Sequence, residues 1–158
     1  MKKAAKFLAV LTIGAIGLSV ADAAQAFPFS GFRGLTIRGD RGGQVIQYAL
    51  QMKRLERSGS KVRFAGRCDS ACTLYLALPR SQTCVMSGAT FGFHLPYGVS
   101  REGNRIAANY MMRNYPGWVK SWIRANGGLN GRIKTMSYSY ARQYLPTCAG
   151  TPDRSFGV

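Results

Sequence analysis

The chain has 158 residues and carries 22 lysines and arginines against six aspartates and glutamates, which gives a formal net charge of +16 at pH 7. This length fits one domain with a buried hydrophobic core. The basic residues are scattered without a run of five and match no nucleic-acid-binding module, so we expect no specific nucleic-acid partner. The positive charge favours anionic neighbours such as a component of the cell envelope, although a solvated basic surface is the plainer interpretation.

Residues 1–26 have the pattern of a secretory signal peptide. A positively charged start precedes an apolar stretch at residues 7–20, and residues 24–26 form a small-x-small cleavage pattern, with residues 21–23 as a nearby alternative. An uncleaved membrane anchor is the other interpretation, but a spanning helix needs ~20 apolar residues. We therefore expect a periplasmic or secreted protein in which residues 27–158 form a single mature domain.

The hydrophobic pattern of the mature part predicts alternating strands and helices. Val45, Tyr48, Met52 and Leu55 recur at three- and four-residue spacing, as on the buried face of a helix. We expect strands at residues 35–37, 61–65, 84–86 and 89–94. We expect helices at 44–58, 71–78, 105–114, 116–125 and 137–144, of which the one at 71–78 is buried. Between them lie turns at 39–43 and 66–70, a loop at 95–103 and a flexible joint at 127–131. This order predicts an α/β fold with a mostly parallel sheet and helices packed on it.

The cysteines predict disulfide bonds. An even number of cysteines in an exported chain is typical of disulfides, and four cysteines allow three pairings, among which the sequence does not choose. Zinc is the rival interpretation, but the chain has no CxxC pair and only one histidine, so we expect neither a metal nor a cofactor. The four candidates are Cys68, Cys72, Cys84 and Cys148.

Ser70 and His94 are the residues most typical of a reacting site. Ser70 lies where a predicted strand gives way to a buried helix, whose N-terminus favours negative charge that builds up nearby. His94, the only histidine, ends an apolar strand and could take the proton of the serine hydroxyl. The plainer interpretations are a helix N-cap for Ser70 and a buried, hydrogen-bonded histidine for His94.

Backbone N–H groups around Gly42, Gly43 and Ala71 are candidate donors to an oxyanion. The two glycines open one predicted helix and Ala71 opens another, so their N–H groups could meet a negatively charged oxygen. By itself the glycine pair also fits an ordinary tight turn. Together with Ser70 and His94, these residues suggest acyl-transfer or hydrolytic chemistry.

Three segments in this order resemble the proteolytic subunit of Clp protease and the wider crotonase-like superfamily. They are residues 35–45 (LTIRGDRGGQV), 66–76 (GRCDSACTLYL) and 84–96 (CVMSGATFGFHLP). The C-x-S-A-C and G-F-H patterns are most similar to a group of exported bacterial proteins described as periplasmic Clp-like proteins.

The resemblance implies a compact crotonase-like fold and a role for each candidate residue. Ser70 would be the nucleophile and His94 the general base. The N–H groups of Gly42 and Ala71 would form an oxyanion hole that Gly43 shapes.

The chain departs from that family in two places. The family's protease has an acidic third residue before its last helix, whereas residues 130–135 contain no carboxylate here; Asp153, Glu102 and Asp40 are substitutes at other positions. The family's opening strand and helix are also missing, so we expect an N-terminally shortened fold with an uncovered sheet edge. Because relatives of this fold often form rings or trimers, such an edge favours a homo-oligomer.

The sequence therefore predicts a periplasmic serine hydrolase or peptidase that acts on a peptide or another acyl substrate through a Ser70–His94 dyad. Attack by Ser70 would give an acyl-enzyme, which water then hydrolyses. The alternative is a catalytically inactive binding or assembly module whose basic surface meets an anionic or protein partner. The missing acid and the net charge favour this alternative, whereas the serine–histidine pair and the glycines favour the hydrolase.

Overall fold

The computed structural model describes residues 34–149. The predictions for the signal peptide, for the domain boundary at residue 27 and for Asp153 lie outside the described residues. The strands β1–β5 are Gly34–Asp40, Lys61–Asp69, Thr83–Val85, Thr90–Phe93 and Lys134–Ser137. The helices α1–α4 are Val45–Ser58, Arg101–Asn114, Gly117–Ala125 and Tyr138–Ala141, and two 3₁₀ helices cover Ser70–Ala77 and Arg80–Gln82.

The strands form one mixed sheet around β2. Strand β1 pairs in parallel with one side of β2, while β3 and β4 pair in parallel with successive parts of its other side. Strand β5 runs antiparallel to β4. The predicted α/β class with a mostly parallel sheet is thus confirmed. Strand β5 was not predicted, because it has four residues and Met136 is the only one that is buried.

Strand β2 is longer than the alternation of its side chains indicates. We predicted a turn at residues 66–70, but β2 continues through Asp69, because residues 67–69 pair with residues 90–92 of β4. The buried helix predicted at residues 71–78 is a 3₁₀ helix at Ser70–Ala77, in which six successive residues are buried. The nucleophile candidate therefore follows the end of a central strand directly.

Two predictions about the second half of the chain are wrong in their boundaries. Helix α2 begins at Arg101, inside the predicted loop, because the Ser100 hydroxyl caps it by accepting from the Gly103 N–H at 3.1 Å. The predicted last helix is reduced to α4, although Ser137 caps it as expected by accepting from the Tyr140 N–H.

The core lies between the sheet and the helices packed on it. Helix α1 buries Ala49, Met52 and Leu55, as its apolar spacing predicts. Helix α3 contributes Val119 and Ile123. The sheet contributes a fully buried set of side chains, Val62, Phe64, Val85, Phe91 and Met136. Among the described residues, no helix has both the length and the apolarity that crossing a membrane requires.

Two disulfides use all four cysteines. Cys68 pairs with Cys72 and Cys84 with Cys148, with Cα–Cα distances of 5.4 and 4.9 Å. This result resolves the three pairings that the sequence left open. Disulfides persist in oxidising compartments, so both bonds suit a protein outside the cytoplasm.

Gly66 provides a test of how closely β1 and β2 approach. An added Cβ at Gly66 would lie 1.9 Å from the Arg38 carbonyl oxygen, whereas a Cβ at Gly39 on the facing strand would meet nothing within 4 Å. We expect Gly66→Ala to lower the free energy of unfolding by about 1–3 kcal/mol, because overpacking forces the strands apart. Gly39→Ala should change it by about 0.5 kcal/mol or less. Urea unfolding of both variants measures the difference, and equal effects would contradict the close approach at Gly66.

Candidate functional site

A cavity of about 730 Å³ lies between the start of α1, the first half of α2 and the loop that follows β4. Ser70, His94, Gly42 and Gly43 all line it, so the structure brings four of the five predicted site residues together. Ala71 is buried directly after Ser70. The volume is within the range of ~300–1,000 Å³ that is usual for small-molecule sites.

Ser70 has an unusual backbone conformation. Its φ of +55° is the only positive φ of a residue other than glycine between residues 34 and 149. An L-residue in this left-handed region costs about 1–2 kcal/mol, so its surroundings must hold it there. Ser70 is the first residue of the 3₁₀ helix and Asp69 occupies the N-cap position, so the interpretation of Ser70 as an N-cap is wrong.

Several contacts hold the Ser70 turn in place. The Cys68–Cys72 disulfide closes around it, and the Thr73 hydroxyl donates to the Ser70 carbonyl oxygen at 2.5 Å. A strained serine between a strand and a helix is the geometry of a nucleophile elbow, which exposes the hydroxyl beside a cavity.

Gly42 packs directly against this turn. Its φ is +79°, and an added Cβ would lie 2.6 Å from the Asp69 carbonyl oxygen, 2.7 Å from Ser70 Cβ and 2.9 Å from the Ala71 nitrogen. Only glycine combines this conformation with such a close approach. The two predicted halves of the oxyanion hole, the glycine turn and the start of the 3₁₀ helix, are therefore in contact.

The hydrogen bonds change the expected roles of the two glycines. The Gly42 N–H donates to Asp40 Oδ1 at 2.8 Å, so this donor is already used and is not available to an oxyanion. Gly43 precedes Gln44, the N-cap of α1, and Ala71 is the second residue of the 3₁₀ helix. The N–H groups in the first turn of a helix have no partner within it, and Ala71 lies in such a turn. Gly43 and Ala71 therefore remain the candidate donors, whereas Gly42 is a close-packed spacer.

The Asp40 carboxylate holds the glycine turn by hydrogen bonds. Besides the Gly42 N–H, its Oδ1 accepts a hydrogen bond from the Tyr48 hydroxyl at 2.7 Å. Burial and the Asp40 carboxylate raise the pKa of Tyr48 well above its ordinary value, and burial with the same carboxylate raises the pKa of Tyr75 to about 12. Tyr48 thus stays protonated and remains a donor across the physiological pH range.

His94 is oriented by the backbone of the next residue. Its Nδ1 lies 2.8 Å from the Leu95 carbonyl oxygen, which can only accept, so Nδ1 is the donor and Nε2 is the acceptor of the neutral imidazole. The Leu95 N–H in turn donates to the Asn130 carbonyl oxygen at 2.7 Å. The segment in which an acidic residue was expected therefore holds the peptide unit that orients the imidazole.

The two suggested substitutes for the missing acid that the structure describes, Asp40 and Glu102, are bonded elsewhere and not to His94. Asp40 is bonded to the glycine turn, and Glu102 forms an ion pair with Arg105. Sequence reasoning overlooked Asp69, a buried carboxylate directly before Ser70 that pairs with Arg67. Its burial could not be predicted, because residues 66–70 were expected to form a turn rather than the end of β2.

No family model matches the chain, and a search of curated proteins finds no relative. Between residues 34 and 149, no group of three or more histidines, cysteines, aspartates or glutamates is placed to hold a metal ion. The resemblance to Clp-like proteins therefore stays a prediction.

The contact between the two turns can be tested with neighbouring glycines. Gly42→Ala should lower the free energy of unfolding by about 2–4 kcal/mol, because it adds both a left-handed alanine and an overlap with the Ser70 turn. Gly43→Ala is the matched control. Its Cβ would make an ordinary 3.5 Å contact with the Tyr48 ring, and we expect a change of about 0.5 kcal/mol or less. Chemical unfolding gives both values, and a well-tolerated Gly42→Ala would contradict the described packing.

Proposed function

We propose that this chain is an exported serine hydrolase with a Clp-like, crotonase-like fold that acts on a peptide or another acyl substrate. Ser70 is the nucleophile and His94 the general base. The observation that carries the proposal is that a serine held in a strained turn shares one cavity with a histidine whose Nε2 is left as an acceptor. The two disulfides support a location in the periplasm or outside the cell.

The proposed reaction uses each group once in each half of the cycle. His94 Nε2 takes the proton of Ser70 Oγ as this oxygen attacks the substrate carbonyl. The N–H groups of Gly43 and Ala71 bind the resulting oxyanion, and His94 then protonates the leaving group. Water then gives a proton to His94 Nε2 and attacks the acyl carbon, the bond to Ser70 Oγ breaks, and His94 returns the proton to Oγ. Loss of one oxyanion donor lowers the rate by ~10²–10³-fold, and a general base raises it by about 10²–10⁴-fold.

The Leu95 carbonyl replaces only part of what an acidic residue would do. It fixes the tautomer and direction of the imidazole, which a triad aspartate also does. A peptide dipole stabilises the imidazolium less than a full negative charge does. We therefore propose a slow hydrolase. Loss of the orienting acid from a triad lowers the rate by ~10⁴-fold, and we expect the rate of this chain to lie between that limit and the rate of an intact triad.

Fluorophosphonate labelling of the oxidised protein tests the dyad. We expect covalent labelling of the wild type, complete loss in Ser70→Ala, and a labelling rate at least about 10²-fold lower in His94→Ala, because the serine loses its base. The exposed Ser87 lies outside the cavity, so Ser87→Ala is the control and should label like the wild type. Mass spectrometry of the intact protein measures the rates.

A folded wild-type protein that is not labelled would overturn the hydrolase proposal. The same would hold if labelling persisted in Ser70→Ala, since the reactive group would then lie elsewhere. Absence of labelling would return the chain to the alternative of a binding module.

We expect the Cys84–Cys148 disulfide to contribute more to stability and the Cys68–Cys72 disulfide to contribute more to the reactivity of Ser70. Chain-entropy arguments assign about 2 kcal/mol to the short loop closed by Cys68–Cys72 and about 4 kcal/mol to the long loop closed by Cys84–Cys148. The short bond surrounds Ser70, whereas Cys84 and Cys148 do not line the cavity.

We therefore expect the double variant of Cys68 and Cys72 to alanine to lose most labelling at a modest loss of stability. The double variant of Cys84 and Cys148 to alanine should lose more stability but label normally while folded. Urea unfolding and labelling of each variant, measured at one temperature, separate the two effects. Equal loss of labelling in both variants would show that the short disulfide has no special role at Ser70.

A further inference from the structure

The cavity has an uneven distribution of charge. Arg41 is the only lysine or arginine among the described residues that line it, and none of those residues is an aspartate or a glutamate. Arg41 is exposed and takes part in none of the three ion pairs formed within residues 34–149. Its guanidinium is therefore available to a ligand.

The rest of the cavity mouth is apolar. Ile46, Tyr97, Val99 and Ile106 line the cavity, and each of these side chains is more than half exposed. Large apolar side chains that cluster at a surface mark binding sites for ligands or partners more often than isolated ones do. The buried Ala49 also lines the cavity and leaves room beside these side chains.

Arg41 occupies a defined place relative to the proposed chemistry. It directly precedes Gly42, whose backbone packs against Ser70, so Arg41 Cα is one peptide unit, about 3.8 Å, from a residue in contact with the nucleophile turn. A guanidinium binds a carboxylate through paired, charge-assisted hydrogen bonds. An anionic group close to the scissile bond would meet it.

We propose that the substrates are anionic amphiphiles, in which an apolar acyl portion fills the cavity and a carboxylate near the scissile bond binds Arg41. This inference rests on the proposed function for the position of the scissile bond. The binding preference itself depends only on the cavity and can be measured without turnover.

The binding experiment uses two probes that cannot be hydrolysed, 4-hexyloxybenzoate and the neutral 4-hexyloxybenzamide. Calorimetric titration of the oxidised wild type should give at least about tenfold tighter binding of the carboxylate, as one charge-assisted contact predicts. Arg41→Gln should remove this preference without weakening the binding of the amide. Ile46→Ser should weaken both probes, because it reduces the apolar surface at the mouth.

Arg113→Gln is the control for net charge. Arg113 is also exposed and does not line the cavity, so this variant should bind both probes like the wild type. Equal affinity of wild type for the two probes, a preference that survives in Arg41→Gln, or an equal loss in Arg113→Gln would each overturn the proposal.

Hydrolysis provides the second arm. One substrate pair is 4-hexanoyloxybenzoate and its neutral methyl ester, methyl 4-hexanoyloxybenzoate. The other is the mono(4-nitrophenyl) ester of adipic acid and the neutral 4-nitrophenyl hexanoate. In at least one pair, the wild type should cleave the anionic ester with a kcat/KM at least about tenfold above that of the neutral ester. The pair that shows the preference identifies the side of the scissile bond that faces Arg41. If the binding preference is present but Ser70 is not labelled, the hydrolase proposal fails while the anionic site stands. If Ser70 is labelled but neither arm shows a preference lost in Arg41→Gln, the anionic-substrate proposal fails alone.

Discussion

The contact between Gly42 and the Ser70 turn is the constraint on which the rest of the site depends. It joins two loops that follow neighbouring parallel strands, β1 and β2, at the same edge of the sheet. No side chain fits between these loops, because a Cβ on Gly42 would overlap the Ser70 turn. The Asp40 carboxylate supports the contact from the side of β1 by fixing the Gly42 N–H and the Tyr48 hydroxyl. The close approach of the glycine turn to Ser70 is thus a consequence of strand pairing.

The Ser70 turn stores strain that its surroundings must offset. A left-handed serine would relax readily in an exposed loop, but here it begins a 3₁₀ helix whose next six residues are buried. The short disulfide limits movement on the strand side, and the Thr73 hydroxyl holds the Ser70 carbonyl. Burial of the helix, the cross-link and the glycine contact all restrict the same two dihedral angles. Such redundancy is what allows a conformation of high energy to persist at a functional position.

Local patterns in the sequence predicted much of this arrangement, and the remainder depended on distant contacts. The spacing of apolar residues predicted α1 to within one residue, because one face of that helix is simply buried. The resemblance to Clp-like proteins implied that Gly42, Ser70 and His94 share one site, and all three line one cavity. Gly43 was among the predicted donors, but the hydrogen bond from the neighbouring Gly42 N–H to Asp40 could not be predicted. Nor could the orientation of His94, because every residue type supplies a backbone carbonyl.

The site lacks the carboxylate of a triad and has a positive charge at Arg41, and both features bear on the kind of substrate that it would favour. In a triad, the carboxylate compensates the imidazolium that forms during attack. Here a neutral carbonyl orients His94, and Arg41 is the charged side chain among the described residues that line the cavity. On the proposed function, a substrate with its own carboxylate would bring into the cavity a negative charge that the chain itself does not place there. The strongly basic chain would also attract such substrates over a distance of about one Debye length, 8–10 Å, so that the charge which first suggests a binding module serves the hydrolase equally well.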